Sequence, residues 1–134
     1  MHGVPKGCAA QELAQGEGAA SVRLVYCAHP VGSGPDREAN LERFKRWFRW
    51  AIDEYPDDSL VATWAVYVQN LRETPDNRTR GIRDDLAVLG RCDAILLCGG
   101  YLSPGMDVEL TLARKLGLEV VNRLCLGNEP PEFE

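Results

Sequence analysis

The stretch that most constrains the fold is Cys92-Asp93-Ala94-Ile95-Leu96-Leu97-Cys98-Gly99-Gly100-Tyr101-Leu102-Ser103-Pro104-Gly105-Met106-Asp107-Val108-Glu109. The apolar run after Asp93 is too short for a helix of its own and suits a strand covered on both faces. Two glycines end it. Ser103 then fits a helix N-cap, and Pro104 fits the first helical position, where its missing N–H is no loss. Gly105 permits close approach of another group. Strand, glycine turn and helix start make a place where free backbone N–H groups and the helix dipole favour an anion. Glu109 sits about a turn and a half into that helix.

Residues 1–20 are rich in Gly, Ala and Gln without a sustained period, and a flexible leader is expected there. One α/β domain is expected over 21–126 and a mobile acidic tail over 127–134. Val22 to Ala28 reads as a strand, followed by a loop from His29 to Asp36 with Pro30, Gly32, Gly34 and Pro35. An amphipathic helix is predicted from about Arg37 to Tyr55, with Leu41, Phe44, Trp47, Phe48, Ala51, Ile52 and Tyr55 on one face. Trp50 lies ~120° from the centre of that stripe at ~100° per residue, yet beside Trp47. It reads either as an exposed oligomer contact or as a ring lying flat on its own helix.

Pro56-Asp57-Asp58 breaks the helix, and Leu60 to Val66 reads as a second strand. Tyr67 to Asn77 looks polar and irregular. A helix is predicted from Asn77 or Arg78 to Leu89, the last helix ends at Gly117, and Leu118 to Leu124 forms a final strand. The alternation predicts a three-layer α/β sandwich: a parallel, flavodoxin- or Rossmann-like sheet of about four to five strands flanked by helices. In such sheets ligands lie beyond the carboxyl ends of the strands, where the strand order reverses.

Bulk properties exclude several classes. A net charge of −5 argues against a nucleic-acid partner. Five cysteines without a repeated spacing suggest neither a disulfide framework nor a zinc site, and the only histidines are His2 and His29. No metal and no cofactor are expected. No segment reaches the ~18 apolar residues of a membrane span, and the N-terminus lacks a signal-peptide core. A cytoplasmic protein with no membrane partner is expected.

Helix geometry sorts the acidic residues. With Ile82, Leu86 and Leu89 as the expected buried stripe, Asp84 points away, whereas Asp85 lies ~60° from Ile82. With Val108, Leu112 and Leu116 as the stripe of the last helix, Glu109 lies ~60° from Leu112 and Asp107 is more exposed. Two border carboxylates near one ligand edge can divide the work of glycosidic cleavage, one as nucleophile and one as general acid. Two such residues also serve commonly as salt-bridge or capping groups.

The blocks Val25-Tyr26-Cys27-Ala28, Asp84-Asp85-Leu86, Cys92-Asp93-Ala94-Ile95 and Ser103-Pro104-Gly105-Met106-Asp107-Val108-Glu109-Leu110 with Ala113 resemble the nucleoside 2-deoxyribosyltransferase superfamily. Its small members, the 2′-deoxynucleoside 5′-phosphate N-hydrolases, are the nearest in character. The resemblance spans about residues 22–124 and implies an enzyme that cleaves or exchanges the N-glycosidic bond of a deoxynucleoside or its monophosphate. By position, Glu109 matches the attacking glutamate, Asp85 the aspartate that helps protonate the departing base, and Tyr26 an assisting tyrosine. Ser103 matches the serine that holds the 5′-phosphate, with Gly105 beside it. The exchanging enzymes often carry an aspartate where this chain has Ser103. The resemblance also implies a small-molecule nucleoside or nucleotide as partner and a homodimer or higher homo-oligomer. The alternative is a non-catalytic nucleotide-binding module of the same fold.

Further candidates carry bland readings beside the functional ones. His29 and Gly32 lie in the ligand loop, where a histidine also serves as an ordinary hydrogen-bonder. Trp64 and Tyr67 could stack on a base, with core packing the competing role for Trp64. Cys27 and Cys98 share a strand edge and fit buried, inert thiols.

Overall fold

The computed structural model describes residues 22–32 and 34–132, so the expected leader over 1–20 lies outside the described residues. In chain order the elements are β1 (Leu24–Ala28), α1 (Asp36–Glu54), β2 (Ser59–Val61), α2 (Thr63–Asn70), α3 (Pro75–Leu89), β3 (Ala94–Leu97), α4 (Pro104–Leu116) and β4 (Glu119–Asn122). A 3-10 turn over Leu124–Leu126 follows. The four strands form one parallel sheet in the order β2-β1-β3-β4, with Tyr26 opposite Val61 on one side and Ile95 on the other. The chain moves one way from β1 to β2 and the other way thereafter. Right-handed crossovers therefore put α1 on one face and α3 and α4 on the other. The result is a three-layer, Rossmann-like α/β fold.

β1 and β3 occupy the middle of the sheet, which explains their unbroken apolar sequences: Val25 to Ala28 and Ala94 to Leu97 are all buried. Beneath them α1 buries Leu41, Phe44, Trp47, Trp50 and Ala51. Trp50 is only 4% exposed, which rules out the exposed oligomer contact, one of its two readings. It follows Trp47 in the i, i+3 row and packs edge-on to Trp47 at 5.3 Å and to Tyr55 at 5.9 Å. Ile52, assigned to the buried stripe, takes the solvent position instead.

Three further expectations change. The second strand stops at Val61, and the segment read as strand and then irregular chain is α2. Trp64, Tyr67, Val68 and Leu71 fall at i, i+3, i+4 and i+7, a helical period hidden inside β-branched and aromatic residues. The next helix starts at Pro75, because Thr74 Oγ1 accepts the Asn77 N–H at 3.1 Å and proline fills the first turn. On α4 the sheet-facing row is Met106, Leu110 and Ala113, while Val108 and Leu116 are half exposed. On α3 Ile82 is likewise half exposed and only Leu89 is buried. Each helix carries two apolar rows; the small Ala113 lets one pack on the sheet and leaves Val108 to border a cavity. Finally, β4 ends at Asn122, short of the expected Leu124.

The start of the tail lies against α1. Trp47 donates its indole N–H to the Asn128 carbonyl at 2.7 Å, and Glu129 pairs with Arg46 and Arg43. No helix among the described residues is long and apolar enough to cross a membrane.

Candidate active site

Between β1 and β3 the strand order reverses, and beyond their carboxyl ends lies a cavity of about 370 Å³. Its walls come from the loop after β1, from α2, from one face of α3 and from the start of α4. Both border carboxylates, Asp85 and Glu109, line it.

Glu109 is held from behind. Tyr26 is fully buried on β1, and its hydroxyl donates to Glu109 Oε2 at 2.5 Å. Burial pushes the Glu109 carboxyl up to about 7; the Tyr26 hydrogen bond pulls the other way, and the nearby Asp85 charge pushes it further up. Asp85 is raised to about 7 by burial and by the adjacent Asp84 charge. The Tyr26 phenol is raised by burial and by both carboxylates, so it stays a protonated donor. Among the described residues Asp85 Oδ1 is buried without a hydrogen-bond partner. A buried acceptor of that kind calls for a proton or a ligand. Two carboxyls poised near neutrality at one cavity can hold a single proton between them, leaving one to attack and the other to donate.

Removing the Tyr26 hydroxyl takes away the interaction that lowers Glu109. Tyr26→Phe is expected to raise the Glu109 titration midpoint above that of the wild type, measured by NMR of a carboxyl-labelled protein.

At the start of the helix that carries Glu109, Ser103 caps α4, its Oγ accepting the Met106 N–H at 3.2 Å, with Pro104 in the first turn. The Ser103 hydroxyl proton and the Gly105 N–H remain available to an anion, since Pro104 has no N–H, the cap takes that of Met106 and the Ser103 carbonyl takes that of Asp107. Gly105 lines the cavity, and a Cβ there would meet nothing within 4 Å. Gly32 forms part of the wall in a left-handed conformation, φ +71°.

His29 is 4% exposed, with Nδ1 2.7 Å from the Pro30 carbonyl and Nε2 buried without a partner among the described residues. Burial lowers its pKa to about 4, so the ring is neutral. Trp64 serves the core and the cavity together: its ring packs on Phe44 at 4.5 Å, its N–H donates to the Cys27 carbonyl at 2.7 Å, and it also lines the wall. Asp84, expected to be solvated, is half buried and accepts the Tyr67 hydroxyl at 2.9 Å. It orients the ring that Tyr67 presents to the cavity. Cys27 and Cys98 are buried with thiols raised by burial, Cys98 to about 12, and are inert at neutral pH. No group of three or more His, Cys, Asp or Glu among the described residues is placed to hold a metal ion.

The sequence reading missed the basic residues of the cavity, Arg37, Arg72 and Arg78. Arg37 donates to the Val68 carbonyl at 3.0 Å and pairs with Glu73, which also takes Arg78 at 2.6 Å. The available signal was Thr74-Pro75, a cap and first-turn proline that would have put residues 72–78 at a helix start facing the ligand loop.

A comparison with curated proteins finds no match. One family does match, over residues 23–123, which takes in both central strands and every residue lining the cavity. The chain belongs to the family described as a domain of unknown function (DUF7768).

Proposed function

We propose that this protein cleaves the N-glycosidic bond of a 2′-deoxynucleoside or its 5′-monophosphate, with no cofactor. The observation that carries the reading is the buried Tyr26–Glu109 hydrogen bond beside Asp85, with both carboxyls raised to about 7. The Glu109 carboxylate attacks the anomeric carbon and forms a glycosyl ester, as the carbon–nitrogen bond breaks. The departing base takes its proton from Asp85. Water then hydrolyses the ester, Asp85 accepting the proton, or a second base displaces it in a transfer reaction. Tyr26 is a positioning residue here, since it acts through Glu109. Ser103 and the start of α4 hold the 5′-phosphate. The resemblance to deoxyribosyltransferases supports the same roles and adds a homodimer or larger assembly to the proposal.

Incubation with the common deoxynucleosides and their monophosphates, followed by chromatography, tests this. Free base from at least one of them is expected. Ligand-induced melting shifts without base release over hours would instead favour a nucleotide-binding module at the same site.

The pH profile is set by the pair. Below about 7 Glu109 becomes protonated and cannot attack, and above about 7 Asp85 becomes ionised and cannot donate. Base release is therefore expected to be bell-shaped around neutrality, each limb falling by about tenfold per pH unit at its steepest. A rate that climbs monotonically from pH 5 to pH 9 would contradict this division of labour.

A further inference from the structure

Resting on the reading above, we propose that the face Arg78–Gly81–Asp85 of α3 is the slot for the departing base, and that Arg72 and Arg78 at its far end select bases carrying a carbonyl opposite the glycosidic bond. These bases are the 6-oxopurines and 4-oxopyrimidines, in preference to their 6-amino and 4-amino counterparts.

Gly81 is the first observation. Apart from proline, glycine is the residue that most weakens a helix interior, and here it stands in the middle of α3. A Cβ at this position would meet nothing within 4 Å, so packing does not require the glycine. It lines the cavity, and its missing side chain leaves a flat opening there. Arg78, Gly81, Ile82 and Asp85 recur at i, i+3, i+4 and i+7 and all line the cavity, so they share one face.

Reaction geometry orients the slot. Attack comes from Glu109 and the proton for the base from Asp85, so the base lies on the Asp85 side of the anomeric carbon. From Asp85 back to Arg78 is about 10 Å of helix axis at 1.5 Å per residue, enough for a flat heterocycle and hydrogen bonds at its far edge. Trp64 and Tyr67 of α2 supply aromatic walls.

At the far edge the chemistry is donor-rich. The Arg72 side chain makes no hydrogen bond or ion pair with the described residues, although it lines the cavity. Among the described residues Arg78 pairs only with Glu73, and Glu73, the carboxylate at that end, is already taken up by Arg37 and Arg78. Guanidinium groups donate and never accept. A carbonyl oxygen finds charged donors there, whereas an amino group finds only the neutral Asn77 amide oxygen beside a carboxylate already engaged by two arginines.

The test measures binding apart from turnover. Calorimetry on Glu109→Gln protein would use thymidine, deoxyguanosine, deoxyadenosine and deoxycytidine monophosphates. The two oxo-base nucleotides are expected to bind about tenfold more tightly than the two amino-base ones, the worth of a charge-assisted hydrogen bond. Arg72→Gln should shrink that ratio to about threefold or less. Gly81→Leu should weaken all four by at least about tenfold without lowering the melting temperature, since leucine favours the helix. Equal affinities, a preference untouched by Arg72→Gln, or no binding of any of the four would overturn the inference. Absence of base release from wild-type protein, with the binding preference intact, would overturn the catalytic reading alone.

Discussion

Glu109→Gln is expected to lower base release by about 10⁴-fold or more while making the protein more stable above neutral pH. The loss is that of the proposed nucleophile, whose removal would leave only binding and the proposed proton donor. The gain follows from burial. Glu109 titrates at about 7 in the folded protein, against about 4.3 for an unfolded glutamate. The folded state therefore binds the proton more tightly. The stabilisation this brings is fully present below about pH 4 and is lost as pH rises through about 7. Above that range the folded protein holds a buried charge that costs on the order of 3–4 kcal/mol. Glutamine removes the charge, and its carbonyl oxygen can still accept from Tyr26. Urea melts at pH 5 and pH 8.5 read the effect: little difference between variant and wild type at the first, a clear advantage for the variant at the second. Lower stability of the variant at pH 8.5 would contradict the burial argument.

Gly99→Ala is expected to cost about 3 kcal/mol or more, a large part of the ~5–15 kcal/mol that holds a domain of this size together. Gly99 follows the carboxyl end of β3 at φ +104°, and a Cβ there would lie 2.5 Å from Pro30 Cδ and 2.8 Å from His29 Cδ2. Neither neighbour can yield easily. Pro30 is a rigid ring, and the His29 ring is buried and packed on Phe44. The two loops that form the mouth of the switch point would have to separate, so the cavity suffers with the fold. Gly105→Ala is the contrast: with nothing within 4 Å of its Cβ, it should stay within about 0.5 kcal/mol of wild type. Equal stability of the two variants in urea melts would contradict the packing described for Gly99.

How much of this was legible beforehand depended on which residues carried one meaning. The Asp93 to Glu109 stretch combined a strand run, a glycine turn, an N-cap and a first-turn proline, and each local cue agreed with the next. The long helix and the parallel architecture followed from similar agreement. Thr63 to Leu71 did not, because Trp, Val, Tyr and Val suit a strand as well as a helix, and the helical period was set by only four residues. Trp50 and Val108 were misassigned for another reason. Helix angles rank positions around an axis but do not say which of two apolar rows meets the sheet; small residues such as Ala113 decide that. Asp85 and Glu109 survived this error because a border residue stays near an edge after a modest rotation. The arginines of the cavity were lost with α2, since a segment read as irregular cannot be placed against a pocket.

The most direct test of the proposed chemistry is to mix the protein with a deoxynucleotide from which it releases base, quench in acid, and examine its peptides by mass spectrometry. The expected result is a mass gain of one deoxyribose phosphate on the peptide containing Glu109, absent from Glu109→Gln. Base release with the sugar attached to another residue, or base release retained in Glu109→Gln, would contradict the assignment of Glu109 as nucleophile.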